Sequence, residues 1–310
     1  MIKLGIVGAG IIGKSHSKAI EENGECILTA VCDTAVEKAE EIASVHNAEV
    51  YTDYKEMCEK ADMDAVILNL PHFLHHDATV YFLEKGIHVL VEKPMAMTVA
   101  ECDSMIEASK KSGAKLAIGH VQRYFTAYGE IKKLVENGEF GKLYMISETR
   151  NMNYITSKRP RWFLDKKLSG GGIVMNFGAH TLDKIMYVTG ESVTEAHAIL
   201  SNPATDDNIE TNAQILLKLT GDISANITFC GCTDVYTYES VFYFDKGLAK
   251  VVRGTDLYIS ENGEMVYKGG TQEALPGQLE EFVKFLKGEE SMIVTPEYGR
   301  EIIRVLEGIL

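Results

Sequence analysis

Three polar side chains share one face of a helix near the middle of this sequence. Asn176, His180 and Asp183 fall at i, i+4 and i+7, positions that lie on the same side of an α-helix. A carboxylate at Asp183 can accept a hydrogen bond from one imidazole nitrogen of His180, leaving the other to exchange a proton. The triple glycine Gly170–Gly172 just ahead leaves a backbone without side chains, open to close approach by a ligand or a neighbouring domain. A second proton-transfer candidate, Lys93, ends the run Val91-Glu92-Lys93-Pro94. Partly desolvated, a lysine there has a lowered pKa, which suits it to proton transfer or to polarising a carbonyl. Each candidate has a plainer alternative: a solvated polar helix face for the first, a solvated strand-end charge for the second. His72, His75 and His76 also cluster, but beyond Asp77 no acidic or thiol side chain sits beside them in a fitting arrangement. No metal site is expected.

The turn Gly8-Ala9-Gly10-Ile11-Ile12-Gly13 follows an apolar run and opens a helical one, and Asp33 lies 20 residues after Gly13. Gly8 permits the tight turn, Gly10 lets a phosphate approach the backbone, and Gly13 lets helix and strand pack closely. The helix then presents N–H groups that lack intrahelical partners, which suits a pyrophosphate lying against Ile11 and Ile12. A carboxylate at Asp33 accepts hydrogen bonds from the adenosine ribose and repels a 2′-phosphate, so NAD is favoured over NADP. A flavin or a single nucleotide is left open by these residues alone.

The elements needed to position these groups are legible in the chain. Ile2–Val7, Ile27–Asp33, Ala65–Leu70, His88–Glu92 and Lys115–Gly119 read as short strands, alternating with helical stretches. That alternation predicts a parallel sheet with helices on both faces, and the unbroken apolar character fits strands buried on both sides. Thr98-Val99-Ala100-Glu101 reads as a capping box whose helix Gly113 closes. After about Tyr124 the pattern changes: a helix to Asn137, a strand at Leu143–Thr149, a basic loop, and a helix over Met175–Thr189. Strand-like runs follow at Ser192–Ile199, Gln214–Leu219, Ile223–Phe229, Val241–Phe244, Leu257–Glu261 and Met265–Tyr267. Asn262-Gly263 joins the last two as a hairpin turn. Helices at Gln278–Lys287 and Pro296–Leu310 end the sequence, with the last still open by its periodicity. The expected organisation is a dinucleotide-binding Rossmann domain over 1–121, followed by an α+β domain over 122–310 with a large, open-faced, mostly antiparallel sheet.

Bulk properties agree with two domains. The chain has 310 residues, above the ~250–300 at which a single core usually stops growing. Hydrophobic residues make up 45% and charged residues 25%, an ordinary globular balance. A net charge of −14 disfavours nucleic acid and anionic membranes as partners. No apolar run approaches the ~18 residues of a membrane span. Six cysteines without a C-x-x-C pair, and a start that passes directly into Ile2–Val7, suggest a reducing cytoplasm.

With these motifs in view, the sequence resembles the glucose–fructose oxidoreductase / inositol dehydrogenase / MocA family. The glycine turn, Pro71-His72-Phe73-Leu74-His75, the stretch Gly86 to Pro94, and Gly170 to Asp183 stand in the family's order. The resemblance implies that Lys93 and His180 form the catalytic pair and that the bond before Pro94 is cis. It further implies that Leu70, Pro71, His75 and Glu92 line the nicotinamide half, and that Arg123 and Trp162 contact cofactor or substrate. Homodimers or homotetramers through the second domain's sheet are expected on the same ground. Asn176 departs from the pattern, which more often has Asp. It can hydrogen-bond a substrate hydroxyl but cannot serve as a base, which moves proton transfer onto His180 and Lys93.

The expected activity is hydride transfer between a nicotinamide and a hydroxyl carbon of a sugar, cyclitol or related polyol, with either His180 or Lys93 as the formal base. The loop bearing Lys158, Arg159 and Arg161 either favours an acidic or phosphorylated substrate or is solvated surface. Two rival readings keep the fold: an NAD-dependent glycoside hydrolase, and a non-catalytic dinucleotide sensor.

Overall fold

The computed structural model describes residues 1–157, 159–270 and 273–310, which fall into two compact units. The first is built on strands β1 (Ile2–Val7), β2 (Cys26–Cys32), β3 (Glu49–Tyr51), β4 (Ala65–Leu68), β5 (His88–Glu92) and β6 (Leu116–Gly119). They form one parallel sheet in the order β3-β2-β1-β4-β5-β6. Between them run helices α1 (Ile11–Glu22), α2 (Val36–His46), α3 (Tyr54–Lys60), α4 (His75–Glu84) and α5 (Val99–Ser112). All four residues of β4 and the last four of β5 are buried, as expected of central strands covered on both faces. The capping box forms as expected: Thr98 accepts from the Glu101 N–H, Glu101 accepts from the Thr98 N–H, and Gly113 closes α5 at φ 74°. The short edge strand β3 has no counterpart in the sequence reading. Two of its three residues are exposed, so it carries too little apolar pattern to be noticed.

The second unit contains α6 (Thr126–Asn137), β7 (Leu143–Asn153), the one-turn helix α7 (Lys166–Ser169), α8 (Ala179–Thr189) and β8 (Val193–Ser201). It continues with β9 (Asn212–Leu219), β10 (Ser224–Cys230), β11 (Cys232–Phe244), β12 (Leu248–Val252), β13 (Asp256–Glu261) and β14 (Glu264–Gly269). These eight strands lie in the order β14-β13-β12-β11-β7-β10-β9-β8. The β7–β10 pair is parallel and the other pairs are antiparallel. Strict alternation in β9 turns Ala213, Ile215, Leu217 and Leu219 inward and leaves Leu216 63% exposed, so one sheet face is packed and the other open. Asn262 (φ 50°) and Gly263 (φ 85°) make the expected tight hairpin turn. The helix expected from Met175 begins as a π-helical turn, Val174–Gly178, before α8. Wide turns of this kind inside helices recur at functional sites.

The last two helices are α9 (Leu275–Lys287) and α10 (Pro296–Ile309). The sequence reading kept everything beyond 122 together, but Leu275–Ile303 belong to the first unit and Arg304–Leu310 to the second. The reason lies in the α9 apolar stripe. Leu279, Phe282 and Val283 are buried in the same core as Leu4, Ile6, Ile20 and Leu90, each contributing roughly 1.5–3 kcal/mol of burial. Val294 then pairs with Ile118 beside β6. An amphipathic stripe announces that it needs a partner but not which sheet supplies it.

Candidate functional site

In the first unit the parallel strands bring Gly8, Asp33, Leu70 and Lys93 to one edge of the sheet, where α/β folds bind ligands. Gly8 sits at φ 92°, and a side chain there would meet the Asn69 carbonyl oxygen at 2.4 Å; one on Gly13 would meet the Gly8 carbonyl oxygen at 2.1 Å. Gly10 faces open space, with nothing within 4 Å of a Cβ. No side chain caps the start of α1, so its first N–H groups point outward for an anion. The Asn69 amide is buried there with neither its oxygen nor its nitrogen hydrogen-bonded. These features fit a dinucleotide pyrophosphate. Asn69 was not anticipated from sequence, because an asparagine after a strand is an ordinary turn residue.

Most polar side chains around this edge are tied to backbone. Asp33 accepts from the Ala9 N–H at 2.8 Å and the Ala35 N–H at 2.9 Å, which locks the glycine turn to the end of β2. A carboxylate has about four acceptor sites, so capacity remains for ribose hydroxyls. His75, expected to line the nicotinamide, is buried. Its Nδ1 lies 2.7 Å from the Pro94 carbonyl and its Nε2 2.8 Å from the Leu70 carbonyl. It thereby braces the loop after β4 against the turn after β5, where the Lys93–Pro94 bond is cis. Burial outweighs the two carbonyl contacts and Glu92, holding the His75 imidazole below its usual pKa. Glu92 is also buried. Its carboxylate pairs with His16 of α1 at 2.9 Å and accepts from the Lys93 N–H at 3.3 Å. Burial raises the Glu92 carboxyl, but His16 and Lys93 outweigh it and hold it below the ordinary range. Lys93 itself is partly buried, and Leu70 and Pro71 are partly exposed on the same loop edge.

In the second unit, Asn176, His180 and Asp183 all lie buried, Asp183 completely. A solvated helix face is therefore excluded. The structure gives Asp183 a partner other than the imidazole the sequence suggested: its Oδ1 accepts from Arg123 Nε at 3.1 Å and from Arg123 Nη2. Arg123 is buried too, its guanidinium 4.9 Å from the Tyr187 ring. The glycine lead-in serves packing within this unit. A side chain on Gly172 would meet the Glu210 carbonyl at 2.0 Å, and the Glu210 carboxylate accepts from the Gly172 and Val174 N–H groups at 2.7 and 2.9 Å. Beneath α8, Lys184 pairs with Glu148 of β7 at 2.9 Å, both almost fully buried. Thr181, Ser240 and Tyr238 complete that cluster.

Of the basic loop, Lys158 lies outside the described residues. Arg161 is exposed, 3.6 Å from Asp207, whereas Arg159 turns inward over the Tyr154 ring at 3.9 Å. Trp162 is half-buried and stacks on Phe163 at 3.8 Å. Sequence reasoning missed Arg150 and Tyr154. A lone arginine in a strand carries no motif, and only its neighbours from distant strands mark it.

A glycine turn with close-packed Gly8 and Gly13, an uncapped helix start and a carboxylate at the end of the second strand define an NAD(P)-binding Rossmann fold. Residues 2–120 match the model of an oxidoreductase family with an NAD-binding Rossmann fold, and residues 128–250 match the GFO/IDH/MocA C-terminal domain. The chain belongs to the glucose–fructose oxidoreductase / inositol dehydrogenase / MocA family. Over 193 residues it is 32% identical to the D-glucoside 3-dehydrogenase of Escherichia coli K12, covering 61% of this chain and 54% of that protein. Over 199 residues it is 30% identical to the myo-inositol 2-dehydrogenase of Thermotoga maritima, covering 64% of this chain and 58% of that protein. The chain thus spans somewhat over half the length of the curated relatives it matches. The aldose-aldose oxidoreductase of Caulobacter crescentus, solved with glycerol, superposes with a TM-score of 0.89 at 25% identity over 99% of this chain and 96% of that one.

Proposed function

We propose that this protein is an NAD-dependent dehydrogenase that oxidises a hydroxyl carbon of a sugar, cyclitol or related polyol, or runs the reverse reduction. The observation that carries the reading is the burial of Asn176 and His180, 6% and 9% exposed, on a helix the family's C-terminal domain supplies. Burying polar groups is costly unless structure or function repays it, and an amide and an imidazole on one helix face are suited to hold a substrate hydroxyl and to exchange its proton. The relatives named for glucoside and inositol oxidation point to the same substrate class.

When bound, the nicotinamide supplies the hydride acceptor. Either His180 or Lys93 takes the proton of the reacting hydroxyl, and Asn176 holds a neighbouring hydroxyl. Which of His180 and Lys93 acts as formal base is separable by pH–rate profiles of single variants. Arg123 and Asp183 hold α8 in register as a buried ion pair. Asp33 favours NAD, because a 2′-phosphate there meets a carboxylate already fixed on the Ala9 and Ala35 N–H groups. We also propose a homo-oligomer through the open sheet face, where Ile199, Leu216 and Tyr267 are exposed, and a cytoplasmic setting that keeps the cysteines as free thiols.

The test is NADH absorbance with purified protein, NAD and a panel of sugars, sugar acids and inositols. NADH appearing with one class of compound supports the dehydrogenase. A flat response with NAD binding intact by calorimetry sinks it, and points to chemistry without net redox change or to a sensor.

A further inference from the structure

Arg150 and Arg159 are two positive charges, close enough to repel, that rest on adjoining aromatic rings beside Asn176. Arg150 projects from β7, with its guanidinium 3.7 Å from the Phe177 ring and 4.6 Å from the Tyr238 ring. Arg159 lies 3.9 Å from the Tyr154 ring and 5.1 Å from Phe163, and its Nε donates to the Tyr154 carbonyl at 2.7 Å. The Tyr154 and Phe177 rings meet edge to face at 5.9 Å, so both guanidinium groups rest on one continuous aromatic platform. The Tyr154 hydroxyl sits beside the Asn176 side chain, and Phe177 follows Asn176 in the π-helical turn.

Among the described residues, neither guanidinium has a carboxylate within 4.0 Å. The Arg150 Nε is buried without a hydrogen-bond partner. The same unit neutralises the buried Arg123 directly, with Asp183. Burial and the charge of Arg150 together lower the Arg159 pKa, with the Tyr154 contact opposing them. Two partly desolvated like charges are unfavourable unless an anion completes them. Stacked guanidinium planes are held in a fixed orientation, and their N–H edges match the two oxygens of a carboxylate.

We propose that Arg150 and Arg159 form a subsite for an anionic group of the substrate, a carboxylate, so that the protein acts on sugar or cyclitol acids in preference to neutral polyols. This rests on the reading of the Asn176–Asp183 helix as the substrate helix. The platform sets the substrate's orientation: the acid group is held at Arg150 and Arg159 while a hydroxyl carbon lies toward Asn176.

Binding to the full chain in the presence of NADH tests this without requiring turnover. Calorimetry compares glucose with gluconate, glucuronate and glucose 6-phosphate, and myo-inositol with a cyclitol acid. At least one acid should bind about tenfold or more tightly than its neutral parent, the worth of a charge-assisted contact. That advantage should shrink with added salt, collapse in R150Q and in R159Q, and return in part in R150K, which keeps the charge but not the fork. Acids and neutral parents binding alike, or an advantage that survives both Gln variants, overturns the subsite. Tighter binding of the phosphate ester than of any acid overturns the carboxylate assignment. Acid binding without NADH formation would keep the subsite and sink the dehydrogenase reading. Turnover of neutral polyols without acid preference would do the reverse.

Discussion

The two units fix their polar side chains in different ways. In the first unit, the groups around the sheet edge are bound mainly to backbone, with one side-chain pair, His16 and Glu92, across 76 residues. Asp33 holds two N–H groups, His75 spans two carbonyls, and Glu92 accepts from the Lys93 N–H. In the second unit, Glu210 is held on backbone N–H groups, but around α8 side chains hold side chains from distant elements. Arg123 holds Asp183 across 60 residues, and Lys184 holds Glu148 across 36. The first arrangement shapes loops for a cofactor common to many enzymes. The second stiffens a helix. Damage should therefore differ in kind: lost loop geometry or chemistry in the first unit, an exposed energetic fault in the second.

The largest expected effect is at Lys93. K93A should reduce hydride transfer by roughly 10²–10⁴-fold while NAD affinity, measured by calorimetry, stays within a few-fold, because the glycine turn is untouched. Parallel loss of both would show that the lysine shapes the loop rather than serving the chemistry. Next comes Lys184. K184M leaves the Glu148 carboxylate buried without its cation, and unfolding in urea should show a loss of about 3–5 kcal/mol. The double variant K184M/E148M should recover much of that loss. A single variant of near wild-type stability would mean that this network holds nothing, and the contrast between the units would fall.

The smallest effect is a pH dependence from the first unit. His75 has a pKa below its ordinary 6.5 in the folded protein, so between those two values the unfolded chain binds more protons than the native one. Stability from this group is full above 6.5 and is lost as pH falls toward the folded pKa. Thermal unfolding followed from pH 7 to 5 should show that slope in the wild type and a shallower one in H75Q. Equal slopes would place the acid sensitivity elsewhere.

Much of the first unit was legible because its motifs are local. β1 and β5 were read to the residue, and the glycine turn, capping box and terminal Asp33 have fixed spacings that backbone geometry demands. β12 was missed, since its five residues, Leu248–Val252, carry little pattern. The partner of α9 was missed because a hydrophobic stripe is equally ready for any sheet. In the second unit the helix face bearing Asn176, His180 and Asp183 was visible as a periodicity. That Asp183 is held by Arg123, and that Arg150 and Arg159 rest on the adjoining Phe177 and Tyr154 rings, was not.

The sequence by itself determined the family, the cofactor-binding turn and the identity of the candidate proton-transfer groups. Each depends on short-range backbone constraints: a turn that tolerates only glycine, a helix that repeats every 3.6 residues, a strand that ends where apolar residues stop. Tertiary structure alone decided which buried charges are paired with a carboxylate and which rest on aromatic rings. That is a matter of electrostatics between residues tens of positions apart, and only folding brings them within reach of one another.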